Sequence, residues 1–235
     1  MARERRKGVL GRVNRSLGRA LADYQMTEDG DTLIVALSGG KDSSALLHIL
    51  ETRKAWIPIT YELKPVHVTL GEHEDQLRVE RLYEQTEALG LKLEVLESDI
   101  ALRLDNSELP ENPCFHCSRW KRKLLFDYAV RENIGKIAFG HHRDDILETA
   151  LLNLFYGSSF STMRPHQELF SGRLTIIRPL AYLDEKDVIS YCSHYFLPLD
   201  SPPCRFQKAS GKRAAMKELL HNLCLLYTSP SPRDS

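Results

Sequence analysis

The chain has 235 residues, of which 42% are hydrophobic and 27% charged, and its formal net charge is zero. This length supports one well-packed core with at most a small addition. No apolar run approaches the roughly 18 residues that cross a bilayer, and the N-terminus has no apolar signal-peptide centre, so a cytoplasmic protein without a membrane partner is expected.

Positive charge is concentrated in three places despite the neutral total. Residues 1–20 carry seven Arg or Lys against one acid, Glu4. Segment 204–217 is also basic, and a further cluster follows a cysteine pair and consists of Arg119, Lys121, Arg122 and Lys123. Such clusters can neutralise the phosphates of a nucleic acid, and the alternative interpretation is a solvated helix face.

The hydrophobic pattern predicts alternating strands and helices. A basic helix is predicted over residues 3–25. The predicted strands cover residues 31–37, 61–70, 91–98, 136–142 and 173–180, and the predicted helices between and after them cover 43–54, 74–90, 117–133, 144–157 and 184–196. This alternation indicates an α/β fold, a doubly wound and mainly parallel sheet of Rossmann-like type with helices on both faces.

Three segments that follow strand ends are predicted to line one crevice. These are residues 38–43, 69–73 and 140–145. Ligands of doubly wound sheets bind at the carboxyl ends of the strands, so we expect the functional residues to meet there.

Three parts are predicted along the chain. Residues 1–28 form the basic N-terminal helix and residues 29–222 form the α/β domain. In residues 223–235 a helical pattern gives way to Ser and Pro, which indicates a non-native or disordered tail, in which case a natural C-terminal portion is missing. The alternative is a flexible natural tail.

The segment "SGGKDSS", residues 38–44, joins the first predicted strand to a helix. It is not a Walker loop, because that pattern needs Gly at position 35 and Ser or Thr at position 42, where the chain has Val35 and Asp42. Two glycines turn backbone N–H groups toward a ligand, the helix start adds positive potential, and the hydroxyls of Ser38, Ser43 and Ser44 add donors. The segment therefore predicts an anion-binding loop.

This loop resembles the S-G-G-x-D-S signature of the PP-loop ATP pyrophosphatases. The resemblance implies that ATP binds here with Mg2+ and is cleaved between its α- and β-phosphates to AMP and pyrophosphate. The residues that it assigns to the phosphates are Ser38, Gly39, Gly40, Asp42 and Ser43, and Asp42 is also assigned to catalysis.

The segment "GHHRDDILETALLNLFYG" resembles one that tRNA 2-thiocytidine synthetases share with tRNA-isoleucine lysidine synthetases. The resemblance implies that Gly140 lets a strand end approach the adenine. It also implies that Asp144 and Asp145 bind Mg2+ or position the nucleotide, with Asp145 catalytic. From the residues alone, two adjacent acids at a helix start are equally consistent with capping.

The cysteine pattern distinguishes between the two families. "NPCFHCSRWKRK", "IIRPLAYLDEKDV" and "PPCRFQKASGKRAAMKELL" all resemble the 2-thiocytidine synthetases. The resemblance implies that Cys114, Cys117 and Cys204 hold a 4Fe-4S cluster with one iron left without a protein ligand, and it gives Cys114 and Cys117 a catalytic part. Thiolates also suit zinc, and Cys-x-x-Cys also suits a redox pair, so both alternatives stay open. Cys192 and Cys224 are interpreted as packing thiols.

The resemblance implies an ATP-dependent tRNA sulfurtransferase that replaces the C2 oxygen of an anticodon-loop cytidine with sulfur. Its implied partners are tRNA, gripped by the basic N-terminal helix and the cluster at residues 119–123, a cysteine desulfurase or other sulfur donor, and a second copy in a homodimer. The alternatives are a lysidine-type ligase, a 2-thiouridine synthetase that uses a persulfide, and a non-enzymatic nucleotide sensor.

Overall fold

The computed structural model describes residues 2–71, 74–106, 113–200, 204, 206 and 211–228, with the backbone alone for 2–7, 74 and 224–228. Its helices are α1 (Ala2–Asp23), α2 (Lys41–Arg53), α3 (Glu74–Glu87), α4 (Ile100–Asn106), α5 (Pro113–Arg131), α6 (Arg143–Tyr156), α7 (Glu185–Tyr195) and α8 (Gly211–Thr228). Its strands are β1 (Asp31–Leu37), β2 (Tyr61–Val68), β3 (Glu94–Leu96), β4 (Lys136–Ala138), β5 (His166–Leu169) and β6 (Leu174–Ile177). Short 3₁₀ helices cover Lys54–Trp56 and Pro179–Tyr182.

The strands form one six-stranded sheet in the order β3-β2-β1-β4-β6-β5. All neighbouring pairs are parallel except β5 and β6, which form an antiparallel hairpin at one edge. The strand order reverses direction between β1 and β4, which is the point where a doubly wound sheet opens a crevice. The prediction of a doubly wound, mainly parallel α/β sheet is confirmed.

Helices cover both faces of the sheet, as predicted. One face packs against α1, α2 and α7, with Leu17, Leu46 and Tyr191 fully buried among the strands. The other packs against α4 and α5, through Ile100 and Leu125 among others. The basic helix α1 is thus amphipathic, with its apolar side in the same core as the central strands.

Several element boundaries differ from the sequence predictions. The strand predicted over 136–142 ends at Ala138, because the chain leaves the sheet there to build the crevice. The helix predicted over 117–133 begins at Pro113, so that both cysteines of the pair lie in its first two turns. Helix α8 runs to Thr228 and so continues into the predicted tail, whose remaining residues, 229–235, lie outside the described part.

The elements α4 and β5 are not anticipated by the pattern. Helix α4 has only seven residues, and β5, with the sequence HQEL, shows no apolar alternation and depends on pairing with β6. Among the described residues, no helix is both long and apolar enough to cross a membrane.

His67 of β2 provides a pH-dependent test of this packing. Its ring is fully buried, Nδ1 lies 2.7 Å from the carbonyl oxygen of Leu37, and Nε2 has no hydrogen-bond partner in the described structure. Burial lowers the pKa of His67 to about 4. A protonated ring would bury an unpaired charge, so the folded protein holds His67 neutral.

We expect the free energy of unfolding to fall on acidification for this reason. The unfolded chain binds a proton near pH 6.5 and the folded chain near pH 4, so stability present above pH 6.5 declines by about 2 kcal/mol between pH 7 and pH 5. Urea denaturation at the two pH values measures the loss. The variant His67→Gln lacks this titrating group, so its free energy of unfolding should fall correspondingly less. Equal losses in the two proteins would contradict the assignment of the pH dependence to His67.

Candidate active site

The loop between β1 and α2 is closed by hydrogen bonds between its own serines. The hydroxyl of Ser43 donates to the carbonyl oxygen of Gly40 at 3.0 Å and lies 3.1 Å from the hydroxyl of Ser38. The backbone N–H groups of Ser38 and Gly40 donate to these hydroxyls at 3.2 and 3.3 Å. Ser44 behaves differently from the prediction, since its hydroxyl is fully buried and donates to Gln85 at 3.0 Å. Ser44 is therefore not a ligand donor in this structure.

Two glycines let other parts of the chain approach the loop. Gly39 has a φ of +81°, and a Cβ added there would lie 2.7 Å from the side chain of Arg78. A Cβ on Gly140, two residues after the end of β4, would lie 2.8 Å from the carbonyl carbon of Asp42 and from the nitrogen of Ser43. The strand end that carries Gly140 therefore touches the loop backbone, and any side chain there would displace it.

A charged network connects the loop to α7. Lys41 pairs with Asp42 and with Glu185 at 3.1 Å each, and Asp144 accepts a hydrogen bond from the backbone N–H of Glu185 at 2.6 Å. Burial opposes ionisation of Glu185, but hydrogen bonds from Lys217 and Lys41 hold its pKa below the ordinary value. The sequence analysis missed Glu185 as a site residue, although it lies in the segment "LDEKDV" that carries part of the resemblance.

Asp145 closes the first turn of α6 in a capping box. Its carboxylate accepts a hydrogen bond from the backbone of His142 at 3.1 Å, and its own N–H lies 3.4 Å from Nδ1 of that ring. Its other oxygen pairs with Arg213 of α8 at 3.0 Å, and Arg213 also pairs with the buried Glu148 at 2.9 Å. The carboxylate of Asp145 is thus engaged both by the helix cap and by Arg213. Helix capping is the alternative that the sequence left open for this residue.

Asp42 offers the carboxylate oxygen best placed to receive a cation. Its Oδ1 is buried without a hydrogen-bond partner in the described structure and lies 3.7 Å from Nε2 of His142. Within the described ranges, no three His, Cys, Asp or Glu side chains are grouped to hold a metal ion. The residues fit Mg2+ in its usual form, bound by one or two carboxylates together with substrate phosphates.

A slot of about 210 Å³ opens beside the loop at the carboxyl ends of the central strands. Its apolar wall comes from Leu37, Val66, Val68 and Phe139, and α5 closes it from the other side. The polar groups that line it are Ser38, Ser118, Lys121, Arg122 and His141. Of the three segments predicted to line one crevice, 38–43 and 140–145 contribute Ser38 and His141, residues 69–71 are not part of the lining, and residues 72–73 lie outside the described part. The size and apolar wall of the slot suit a flat ring system.

The cysteines lie next to this slot. Cys114 and Cys117 are three residues apart on one side of α5, and the thiol of Cys114 lies 3.8 Å from the carbonyl oxygen of Phe206, two residues after Cys204. Burial raises the pKa of Cys117, Lys121 acts in the opposite direction, and Cys204 and Cys114 raise it further. The segment that carries Cys204 therefore lies beside the cysteine pair, and although the three described thiols do not form a metal-holding group as they stand, they are donor atoms of the kind that iron–sulfur clusters require.

The four basic residues of α5 do not share one environment. Arg119, Arg122 and Lys123 are exposed, and Lys123 pairs with Asp127 at 2.6 Å. Lys121 is partly buried in the slot, where burial lowers its pKa and Cys117 opposes that shift. Lys121 and Arg122 therefore both line the crevice, and Arg122 is in addition exposed, as are Arg119 and Lys123.

The comparisons with known proteins agree with this geometry. Residues 11–198 match the PP-loop domain family. The tRNA-cytidine(32) 2-sulfurtransferase of Tolumonas auensis is 38% identical over 214 residues, which cover 89% of this chain and 69% of that protein. The protein of the same name from Vibrio cholerae is 39% identical over 214 residues, with 90% and 68% covered.

A solved structure shows the same fold. The U34-tRNA thiolase NcsA from Methanococcus maripaludis, solved with its 4Fe-4S cluster, superposes with a TM-score of 0.78 at 20% identity, covering 95% of this chain and 75% of that one. The solved structure supports the fold, and the sequence matches show that the chain belongs to the tRNA-cytidine 2-sulfurtransferase family of PP-loop proteins.

Proposed function

We propose that the protein thiolates C2 of an anticodon-loop cytidine in tRNA, using ATP to activate the base and a cysteine-bound 4Fe-4S cluster to supply sulfur. The observation that supports this most is the position of Lys121, which lines the slot together with Ser38 of the loop and also interacts electrostatically with Cys117 and Cys204. A phosphate-binding loop alone would suit many reactions, and three thiols alone would suit a structural metal site.

ATP would bind with its pyrophosphate portion on the loop and its adenine in the slot. The N–H groups and hydroxyls of residues 38–43 would hold the β- and γ-phosphates, and Mg2+ would bind between those phosphates and Asp42. The apolar wall from Val66 and Val68 would cover one face of the adenine. Gly140 would keep the loop and the end of β4 in contact around the nucleotide.

The reaction would proceed by attack of the cytidine C2 oxygen on the α-phosphorus. A bond forms from that oxygen to phosphorus, the bond to the β-phosphate oxygen breaks, and pyrophosphate leaves. A sulfur nucleophile then adds to C2, and the C2–O bond breaks with AMP as the leaving group. Lys121, at the slot, would offset negative charge between the phosphate and the thiols.

Cys114, Cys117 and Cys204 would hold the cluster, which when bound supplies an iron with no protein ligand as the position for a transferable sulfur. The protein's own contribution is to bring the cysteine-bearing segment beside α5. The exposed Arg119, Arg122 and Lys123 would bind tRNA phosphates, so that the target base, splayed from its loop, can enter the crevice. The cysteine desulfurase or other sulfur donor and the homodimer remain predictions.

The substitution Gly140→Ala tests the nucleotide site. Its methyl group would displace the backbone at Asp42 and Ser43, so we expect at least about a hundredfold loss of tRNA-dependent pyrophosphate release and of 2-thiocytidine. Pyrophosphate assays and mass spectrometry of digested tRNA measure the two products.

Gly135→Ala, just before the other end of β4, is the matched control. A Cβ there meets nothing closer than 3.9 Å, so activity should be retained. Detection of lysidine or 2-thiouridine in place of 2-thiocytidine in the wild type would overturn the proposed product.

The substitution Cys204→Ala tests the cluster. After anaerobic purification, we expect near-stoichiometric iron and acid-labile sulfide with a broad visible absorption in the wild type, and loss of both in the variant. Cys192→Ala is the control, because Cys192 is fully buried against the other face of the sheet and should leave the iron content unchanged. Wild-type protein without iron even after reconstitution would exclude the cluster and favour a persulfide mechanism.

A further inference from the structure

Arg178 is a buried cation without a carboxylate partner among the described residues. It follows β6, and only 5% of its surface is exposed. One guanidinium nitrogen donates to the backbone carbonyl oxygen of Arg164, whereas Nε has no hydrogen-bond partner among the described residues. No carboxylate within the described ranges forms an ion pair with it, and burial lowers the pKa of Arg178 to about 10, which still leaves it charged at neutral pH.

Further groups next to Arg178 make the same region positive and rich in donors. The charge of Arg122, on α5, acts directly on Arg178, and both arginines act on His141. His141 is held neutral by burial, which lowers its pKa to about 4, and its Nδ1 is buried without a partner in the described structure. Asp145, the acid that acts on His141, is already paired with Arg213.

This arrangement is costly unless an anion completes it. A buried charge without a counter-charge destabilises a folded protein, and unsatisfied buried polar groups usually have a ligand or functional explanation. Arg122 and His141 also line the slot, whereas Arg178 does not, so an anion would approach Arg178 from the side of these two residues. A guanidinium group binds phosphate oxygens with favourable geometry.

The position within the sheet separates this region from the ATP loop. The loop follows β1, whereas Arg178 follows β6, and β4 lies between them. Neighbouring strands are about 4.8 Å apart, so the two strand ends are separated by about 10 Å. The phosphate-binding loop and Arg178 therefore follow different strands of the sheet, and binding of an ATP analogue distinguishes the two sites.

We propose that Arg178, together with Arg122 and His141, forms a second phosphate site that receives a backbone phosphodiester of the RNA beside the target nucleotide. This inference rests on the proposed tRNA substrate and adds a buried positioning residue to the surface contacts of α5. In this arrangement the RNA phosphate neutralises Arg178 and fixes the position of the target base beside the nucleotide that occupies the slot.

The variant Arg178→Met tests the site, with binding of an unmodified tRNA transcript measured by fluorescence anisotropy at several salt concentrations. We expect about tenfold weaker binding and a slope of log Kd against log salt that is smaller by slightly less than one, as for one lost phosphate contact. The affinity for a non-hydrolysable ATP analogue should be unchanged. The melting temperature of the free protein should not fall, because an unpaired buried charge is removed.

Arg131→Met is the matched control. Arg131 lies at the other end of α5, mostly exposed and beside Glu132, so that its loss changes net charge equally but should not alter tRNA affinity. Unchanged tRNA affinity with a lowered melting temperature in Arg178→Met would show a structural role and overturn the inference. Weaker binding of the ATP analogue with tRNA affinity retained would assign the site to ATP and also overturn it.

These failures are distinguishable from failure of the proposed function. If the wild type binds the transcript and makes 2-thiocytidine while Arg178→Met behaves identically, only the second phosphate site is wrong. If the wild type neither binds nor thiolates tRNA, the proposed function and this inference are both wrong.

Discussion

The contact between Gly140 and the backbone of Asp42 and Ser43 is the constraint on which the site depends. It joins the ends of β1 and β4, which carry the phosphate-binding loop and the start of α6, and leaves no room for a Cβ. With that contact in place, the carboxylate of Asp42 and the ring of His142 lie within 3.7 Å of each other. A site built from two sequence-distant segments therefore relies on the absence of one side chain.

Ion pairs then connect this centre to the helices that follow in sequence. Glu185 bridges Lys41 of the loop and Lys217 of α8, and Arg213 of α8 pairs with both Asp145 and Glu148 of α6. Helix α8 follows the segment that carries Cys204, so the chain that supplies the third thiol is also anchored at the nucleotide side. Partly buried pairs of this kind position elements more than they add stability. The proposed activation of the base and delivery of sulfur thus share one framework.

The sequence is informative where function and local structure coincide. The alternation of strands and helices predicts the parallel sheet, and Ser38, Gly39 and Cys117 are recognisable because their chemistry lies in short motifs. The sequence does not point to Glu185, which pairs with Lys41 of the loop, or to Arg178, for which a phosphate-binding role is proposed, because both depend on contacts with segments far away in the chain. Ser44 is misassigned for a related reason: its motif suggests a ligand donor, but Gln85 of α3 takes its hydroxyl. Strand β5 forms only because β6 offers it a pairing edge.

The central claim is that ATP activates the cytidine by transfer of its α-phosphate to the C2 oxygen. Oxygen-18 placed at C2 of the target cytidine in a tRNA transcript tests this directly, with mass spectrometry of the AMP that is released on thiolation. The account predicts one labelled oxygen in AMP for each 2-thiocytidine formed, because the C2–O bond breaks with the oxygen still attached to phosphorus. Unlabelled AMP alongside 2-thiocytidine would show that ATP is cleaved by water, and would contradict the mechanism.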